Sequence, residues 1–566
     1  MVNRINSKKI ISGVMAMVMV AGMSGCGQNK NDKSDKKNYD SIRNTGSGNS
    51  GGMYENECGD IEAENCIDGG YVEDFNTNEF TNITENSWNS VKNAPLSTFA
   101  ADVDTASYST IRNMIVNGYD VDQSAVRIEE MINYFHYDYD NPKEDEKFNV
   151  YTEYMDCPWN DDTKLAMVAL NTMPIDFTDM PKQNLVFLID TSGSMFDEDK
   201  LPLVQKSLCM LAENLTENDR VSVVTYAGSD EVVLEGVSGD KYYEISSAIE
   251  NLEAHGSTNG SAGINTAYEI AEKYFIEGGN NRVILATDGD LNVGVTSEGA
   301  LEKLITEKKK SGVFLSVLGF GYGNLKDNKM ETLADKGNGN YAYIDSIFEA
   351  KKALVDNMGG SLVTVAKDVK LQVEFNPQLV KGYRLIGYEN RVMNAQDFND
   401  DTKDGGEMGA GHSVTALYEI IPSDSKFEIE DIELKYSDKK AEVADEDIEN
   451  NENKELKADI ASEGDATDEY GDELFTVSVR YKEVDSDVSS KESYVCTKSN
   501  YIEEGSDNLR WAAAVAGFGM KIIDSNYMKK NDPDDIILSL ALSTAYDEDP
   551  YRSEFIDLVT KYFETY

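Results

Sequence analysis

The stretch "LVFLIDTSGSM" (residues 185–195) is an apolar run that stops at Asp190. Two hydroxyls follow at alternate positions, Ser192 and Ser194, with Gly193 between them. A second apolar run, "NRVILATDGD", delivers Asp288 at its end. Between the two, "AHGSTNG" is a glycine-rich loop that offers Thr258. If both runs are neighbouring parallel strands, the three loops converge at their carboxyl ends, where open α/β sheets bind ligands. That rim would carry carboxylates and hydroxyls, with no imidazole and no thiolate. Hard oxygen donors of this kind suit Mg²⁺ first, with Ca²⁺ and Mn²⁺ as alternatives. Few negative charges among neutral hydroxyls leave the ion electrophilic, so it can take a carboxylate from a partner. Each residue also has a plainer reading on its own: Asp190 as a helix cap, Asp288 as a turn residue. Gly193 reads as the residue that lets both serines turn toward the rim.

Other chemistries find little support. "TSGSM" is not G-x-S-x-G, so no serine-hydrolase elbow is indicated. "GSTNGSAG" lacks the lysine of a phosphate-binding loop. The chain has three histidines, His136, His255 and His412, and no C-x-x-C, which argues against a zinc site built from those residues. His255, three residues before Thr258, reads as a loop residue, so a metal-assisted hydrolase would lack an obvious base and the protein is not expected to be an enzyme. A formal net charge of −52 excludes a nucleic-acid footprint and adsorption to anionic lipid.

The N-terminus, "MVNRINSKKIISGVMAMVMVAGMSGC", has a basic start and an apolar stretch of signal-peptide length. Two small residues before Cys26 resemble a bacterial lipobox, with Met23 where that pattern prefers leucine. The expectation is a lipoprotein signal peptide at 1–25, lipidation of Cys26, and an extracytoplasmic protein attached to the membrane by its lipid alone. Residues 26–85 are rich in Asn, Gly, Ser, Asp and Lys and read as a disordered tether. Five cysteines besides Cys26 are too few for a disulfide framework; Cys58 and Cys66 could pair or stay free.

The elements that must position the rim follow from periodicity. From residue 184 to 360 near-continuous apolar strands alternate with helical runs, the pattern of a mainly parallel sheet covered on both faces. "RVSVVTYAG" and "EVVLEGV" read as a hairpin at its edge. "IFEAKKALVDNM" reads as a final helix. Alternating strands lie before this unit ("FNVYTEYM", "KLAMVALN") and after it ("DVKLQVEFNP", "KGYRLIGYENR", "SVTALYEIIP", "FEIEDIELKYS", "LFTVSVRYKEV"). The prediction is one β-sandwich assembled from both flanks, with the α/β unit inserted in a loop; two small β domains are the alternative. Asp104 or Thr105 is placed to cap the helix "ASYSTIRNMIVNG". Residues 438–472 read as a solvated acidic loop, and 501–566 as a helical C-terminal region.

D-x-S-x-S at 190–194 together with Thr258 and Asp288 resembles the metal-ion-dependent adhesion site of von Willebrand factor type A domains. The resemblance implies that Ser192, Ser194 and Thr258 offer hydroxyls to a divalent metal, with Asp190 and Asp288 acting directly or through water. "PLSTFAADVDTASYS", "FIEGGNNRVILATDGDLNVGV", "ADKGNGNYAYID" and "FNDDTKDGGEMGAGHSVTALYEI" extend the likeness to bacterial lipoproteins of the YfbK type. It implies a flanking region at 86–183, an A domain at 184–360 with a doubly wound, Rossmann-like sheet, and a β domain at 361–500. The implied function is adhesion: the metal accepts an acidic side chain from a protein partner. A metal-stabilised envelope scaffold is the alternative.

Overall fold

The computed structural model describes residues 78–566, except 102–103, 144–145, 176–179, 257–259, 290–297, 404, 430–469, 485, 487, 531 and 545–548. Expectations for the signal peptide, Cys26, the tether up to residue 77, Cys58, Cys66, Thr258, most of the acidic loop and most of "FEIEDIELKYS" fall outside the described residues. Residues 78–85, expected in the tether, are instead bound to the fold: Asn78 Oδ1 accepts the Gly323 and Leu325 N–H groups at 3.0 and 2.8 Å, and Phe80 packs against the α/β core.

Alternating and continuous apolar sequences settle in different sheets. The N-terminal flank supplies strands β1 (Asn89–Ser90) and β2 (Leu96–Ala100) and helices α1 (Ala106–Asn117) and α2 (Ile128–Asn133). It ends with β3 (Phe148–Asp156) and β4 (Lys164–Thr172). Then strand and helix alternate: β5 (Gln183–Asp190), α3 (Leu201–Ala212), β6 (Arg220–Tyr226), β7 (Asp230–Ser238), α4 (Tyr242–Glu250) and α5 (Gly260–Lys273). The alternation continues through β8 (Asn280–Thr287), α6 (Glu298–Lys308), β9 (Phe314–Phe320), α7 (Asp327–Lys336), β10 (Tyr341–Ile344), α8 (Ile347–Lys351) and α9 (Met358–Leu362).

These strands form one sheet in the order β10-β9-β8-β5-β6-β7, parallel except for the edge hairpin β6–β7. Every residue of β5 and β8 is buried, as a sheet covered on both faces requires. Val186 and Leu188 pack with Ile264 and Tyr268 of α5, while Phe187 and Ile189 pack with Leu208 of α3 and Ile245 of α4. The expected final helix is not continuous: α8 passes through a π-helical segment, Lys352–Asp356, before α9. Gly359 and Gly360, poor helix formers, follow directly in α9.

The C-terminal flank adds β11 (Thr364–Phe375), β12 (Val380–Ile386), β13 (Val392–Met393), β14 (Gly406–Gly409), β15 (Ser413–Pro422), β16 (Glu473–Glu483) and β17 (Ser489–Thr497). Helices α10 (Asp507–Ile522), α11 (Pro533–Ser543) and α12 (Pro550–Thr565) close the chain. Two antiparallel sheets result, β1-β12-β15-β4-β3 and β13-β2-β11-β16-β17, each interleaving strands from before and after the α/β unit. Their shared core includes Phe99, Val168, Val373, Phe375, Tyr418 and Val477. Strand β4 is buried on both sides. Ala166, Val168 and Leu170 face this core, whereas Leu165 and Met167 join the helical layer with Trp511 and Phe555. The fold is thus a doubly wound α/β sheet inserted in a discontinuous sandwich with a helical C-terminal part. Strand β17, rich in Ser, Lys and Glu, is half-exposed, and its composition gives no strand signal.

Neither proposed cap of α1 acts through its side chain as expected. Thr105 makes no cap hydrogen bond, and the Asp104 carboxylate accepts the Tyr341 N–H at 2.9 Å. The α/β unit is docked by Arg391, whose guanidinium lies 2.7 Å from Glu331 and 2.9 Å from Asp335 on α7 and 3.4 Å from Asp104. Acids crowd this seam. Burial pushes the Glu331 carboxyl up to about 7 against the pull of Arg391, with Asp327 and Asp335 adding repulsion. Burial and the charge of Glu129 push Glu389 up to about 7 as well. A carboxyl raised above its unfolded value stabilises the fold fully below about pH 4.5, and that contribution is lost as pH rises through 7. Glu389→Gln is therefore expected to gain on the wild type by about 2 kcal/mol between pH 5 and pH 8 in urea unfolding. Parallel pH profiles for the two proteins would refute this.

Candidate metal centre

The chain leaves β5 for β6 on one side and reaches β8 on the other only later, so the crevice above β5 and β8 is the switch point of the sheet. Ile189 pairs with Ala286, which sets Asp190 and Thr287 side by side at the strand ends. Asp190 is 0% exposed. Its Oδ1 accepts the Ser192 N–H at 2.9 Å, and its Oδ2 accepts the Thr287 hydroxyl at 3.2 Å. The Ser192 and Ser194 Oγ atoms lie 3.0 Å apart. Ser192 and Asp288 are buried, while Ser194 is exposed, so the oxygens line a depression that opens outward.

The glycine loop is stitched to this turn. The Gly193 N–H donates to the Gly256 carbonyl at 3.2 Å, and the His255 N–H donates to the Thr191 carbonyl at 2.8 Å. These bonds bring the loop to the D-x-S-x-S turn two residues before Thr258, which itself lies outside the described residues. His255 is exposed, with its ring Nδ1 2.8 Å from the Glu253 carbonyl, and serves as a loop residue. Burial pushes the Asp190 carboxyl up to about 6, outweighing the Ser192 N–H that holds it down, and the charge of Asp288 adds to the rise.

Two readings change. Gly193 does not adopt a left-handed backbone, and a Cβ there would meet only the Gly256 carbonyl at 3.4 Å, so its lack of a side chain is not what turns the serines. Gly289 is the glycine the rim requires: its φ is +91°, and a Cβ would lie 2.7 Å from the Lys326 nitrogen. Asp190 does satisfy an N–H, but that of Ser192 leading into the short 3₁₀ segment Gly193–Phe196; helix α3 has Lys200 at its N-cap.

Two further residues belong to the rim. Thr287 bonds Asp190 and accepts the Gly289 N–H at 3.2 Å. Lys200 places its ammonium 3.2 Å from Asp288 Oδ2 and 2.9 Å from the Ser194 carbonyl. Thr287 is readable in "LATDGD"; Lys200, in the charged run "DEDK", carries no signal. No group of three or more His, Cys, Asp or Glu side chains among the described residues is placed to hold a metal, so an ion here needs the serine hydroxyls beside the carboxylates. The described cysteines, Cys157, Cys209 and Cys496, are buried and free, and burial raises each thiol away from the reactive range.

A model of the von Willebrand factor type A domain matches residues 184–357, a model described as the C-terminal part of uncharacterized protein YfbK matches 360–458 and 442–564, and one described as von Willebrand factor matches 74–167. Uncharacterized protein YfbK of Escherichia coli (strain K12) is 37% identical over 490 residues, covering 85% of this chain and 80% of that protein. Inter-alpha-trypsin inhibitor heavy chain H4 of Bos taurus is 27% identical over 157 residues, 26% of this chain and 17% of that one. Among solved structures, a von Willebrand factor type A protein from Catenulispora acidiphila aligns over 73% of this chain and 89% of its own, with a TM-score of 0.38 and 13% identity.

Proposed function

This chain belongs to the YfbK family of von Willebrand factor type A proteins, and from that premise we propose that it grips a protein partner through a divalent ion held on the rim of its A domain. The observation that carries the reading is the outward-opening set of oxygens: buried carboxylates Asp190 and Asp288 beneath Ser192 and the exposed Ser194. Thr258 completes the donor set by resemblance. The ion, Mg²⁺ in this reading, accepts a carboxylate from the partner in its open position. Neutral serine hydroxyls beside few carboxylates are hard oxygen donors, which supports Mg²⁺. A single carboxylate–metal contact orients the partner; the surrounding surface supplies most of the affinity. Phe196, two residues after Ser194 and 77% exposed, is the exposed apolar side chain nearest in sequence to offer it.

The protein acts outside the cytoplasmic membrane, tethered through lipid on Cys26. No helix among the described residues is long and apolar enough to cross a membrane. The decisive experiment is a pull-down from cell envelope with wild type and Asp190→Ala, each with Mg²⁺ and with EDTA. A partner retained only by wild type with Mg²⁺ is expected. Phe196→Ala should keep its Mg²⁺ binding yet lose roughly tenfold or more of that partner. A partner set indifferent to both EDTA and Asp190→Ala would sink the adhesion reading.

A further inference from the structure

Lys200 is the N-cap of α3, yet its side chain turns inward to the rim. The residue is 7% exposed, and its ammonium donates to the Ser194 carbonyl at 2.9 Å and to Asp288 Oδ2 at 3.2 Å. Its stem lies against Gly321, just after β9, where a Cβ would stand 2.4 Å from Lys200 Cε. Gly321 has φ +77°, and its carbonyl accepts the buried Tyr343 hydroxyl at 3.1 Å. Segments following β5, β8 and β9 thus hold one ammonium against the metal rim. An ammonium so little solvated keeps a large part of its field, because water no longer screens it.

We propose that Lys200 is a built-in competitor of the divalent ion. It neutralises Asp288 while the ion is away. When the ion binds, the nearby positive charge weakens its hold and leaves the loaded rim with a net positive charge, where the two carboxylates alone would leave it neutral. Lys200 thereby trades metal affinity for attraction to an anionic side chain, which sets the ligand class of the open position. This inference rests on the metal reading above.

The test is calorimetric titration of the full chain with Mg²⁺ alone. Lys200→Met and Lys200→Gln are expected to bind Mg²⁺ at least roughly tenfold tighter than wild type, since a cation a few ångströms from a divalent ion repels it by more than a tenfold change requires at any protein-like dielectric. Lys200→Gln keeps a donor for the Ser194 carbonyl and carries the test should Lys200→Met fail to fold. Lys200→Arg keeps the charge and is expected to stay within about threefold of wild type. Without metal, both neutral variants should melt below wild type, because Asp288 loses its counter-ion. A lysine that merely packs would lower the melting temperature without tightening Mg²⁺. Wild-type or weaker affinity in the neutral variants, or tightening in Lys200→Arg equal to theirs, overturns the proposal. Absence of Mg²⁺ binding by wild type, or equal binding by Asp190→Ala, removes the metal reading itself and the role of Lys200 with it.

Discussion

Arg112→Met is expected to destabilise the protein by about 3–5 kcal/mol, the usual result of removing one partner from a buried charge cluster. Arg112 lies on α1, and its side chain is 3% exposed. Its guanidinium reaches Asp345 at 2.5 Å and Glu349 at 2.7 Å in the α/β unit, and Glu554 of α12 at 3.1 Å. It also donates to the Tyr134 hydroxyl at 3.0 Å, beside α2. One cation therefore joins the N-terminal flank, the inserted unit and the C-terminal helices. Methionine of similar length fills the space but leaves three carboxylates facing one another with little water to screen them. Urea unfolding should show the loss, and it should shrink as pH falls and the freed carboxyls take up protons. Lys143→Met, where the lysine side chain is 83% exposed and paired with Glu146, should barely move the transition. A comparable effect from both substitutions would refute the assignment.

The second large effect concerns Asp190→Asn, and metal cancels it. The amide can still accept the Ser192 N–H and meet the Thr287 hydroxyl, so the turn survives. What disappears is a buried charge. Because the Asp190 carboxyl is held up at about 6, its contribution to stability is full below about pH 4 and is lost as pH rises through 6. In EDTA at pH 7.5 the variant should therefore exceed wild type, by on the order of 2–3 kcal/mol. With Mg²⁺ at a hundred times its dissociation constant, wild type should recover about 2.7 kcal/mol, whereas the variant recovers nothing. Melting curves in EDTA and in Mg²⁺, at pH 5 and 7.5, read both effects. If the Asp190→Asn variant gains as much from Mg²⁺ as wild type, the carboxylate is not a ligand.

Some features are legible in the sequence because their signal is local. β5 and β8 are continuous apolar runs that end on a polar residue, so a parallel sheet with oxygens at its carboxyl edge can be read from residues 185–195 and 282–290 alone. Period-two alternation in "FNVYTEYM" and the strand-forming residues of "SVTALYEIIP" mark strands on both sides of the inserted unit, and with them the discontinuous sandwich. Other features depend on partners hundreds of residues apart. Arg112 in "STIRNM" looks like any exposed helix position, and Lys200 in "DEDK" like a solvated charge. Only the fold brings them to Asp345, Glu554 and Asp288. Strand β17 is hidden by its edge position, where polar residues replace the apolar alternation of an inner strand. Gly193 misleads, since a glycine between two serines invites a turn argument that its backbone does not need.

The interleaving of the two sandwich sheets also dictates an order of events during synthesis. β4 has no inner neighbour until β15 is made, and β2 waits equally for β11, because the whole α/β unit separates them in the chain. The α/β unit, by contrast, finds each neighbouring strand within its own length and can consolidate while the rest is still emerging. The half-made sandwich meanwhile exposes β4, apolar on both faces, and unpaired strand edges of this kind invite aggregation. A chain truncated before β15 should accordingly retain a folded α/β core while its N-terminal flank remains sticky and dependent on a holding chaperone.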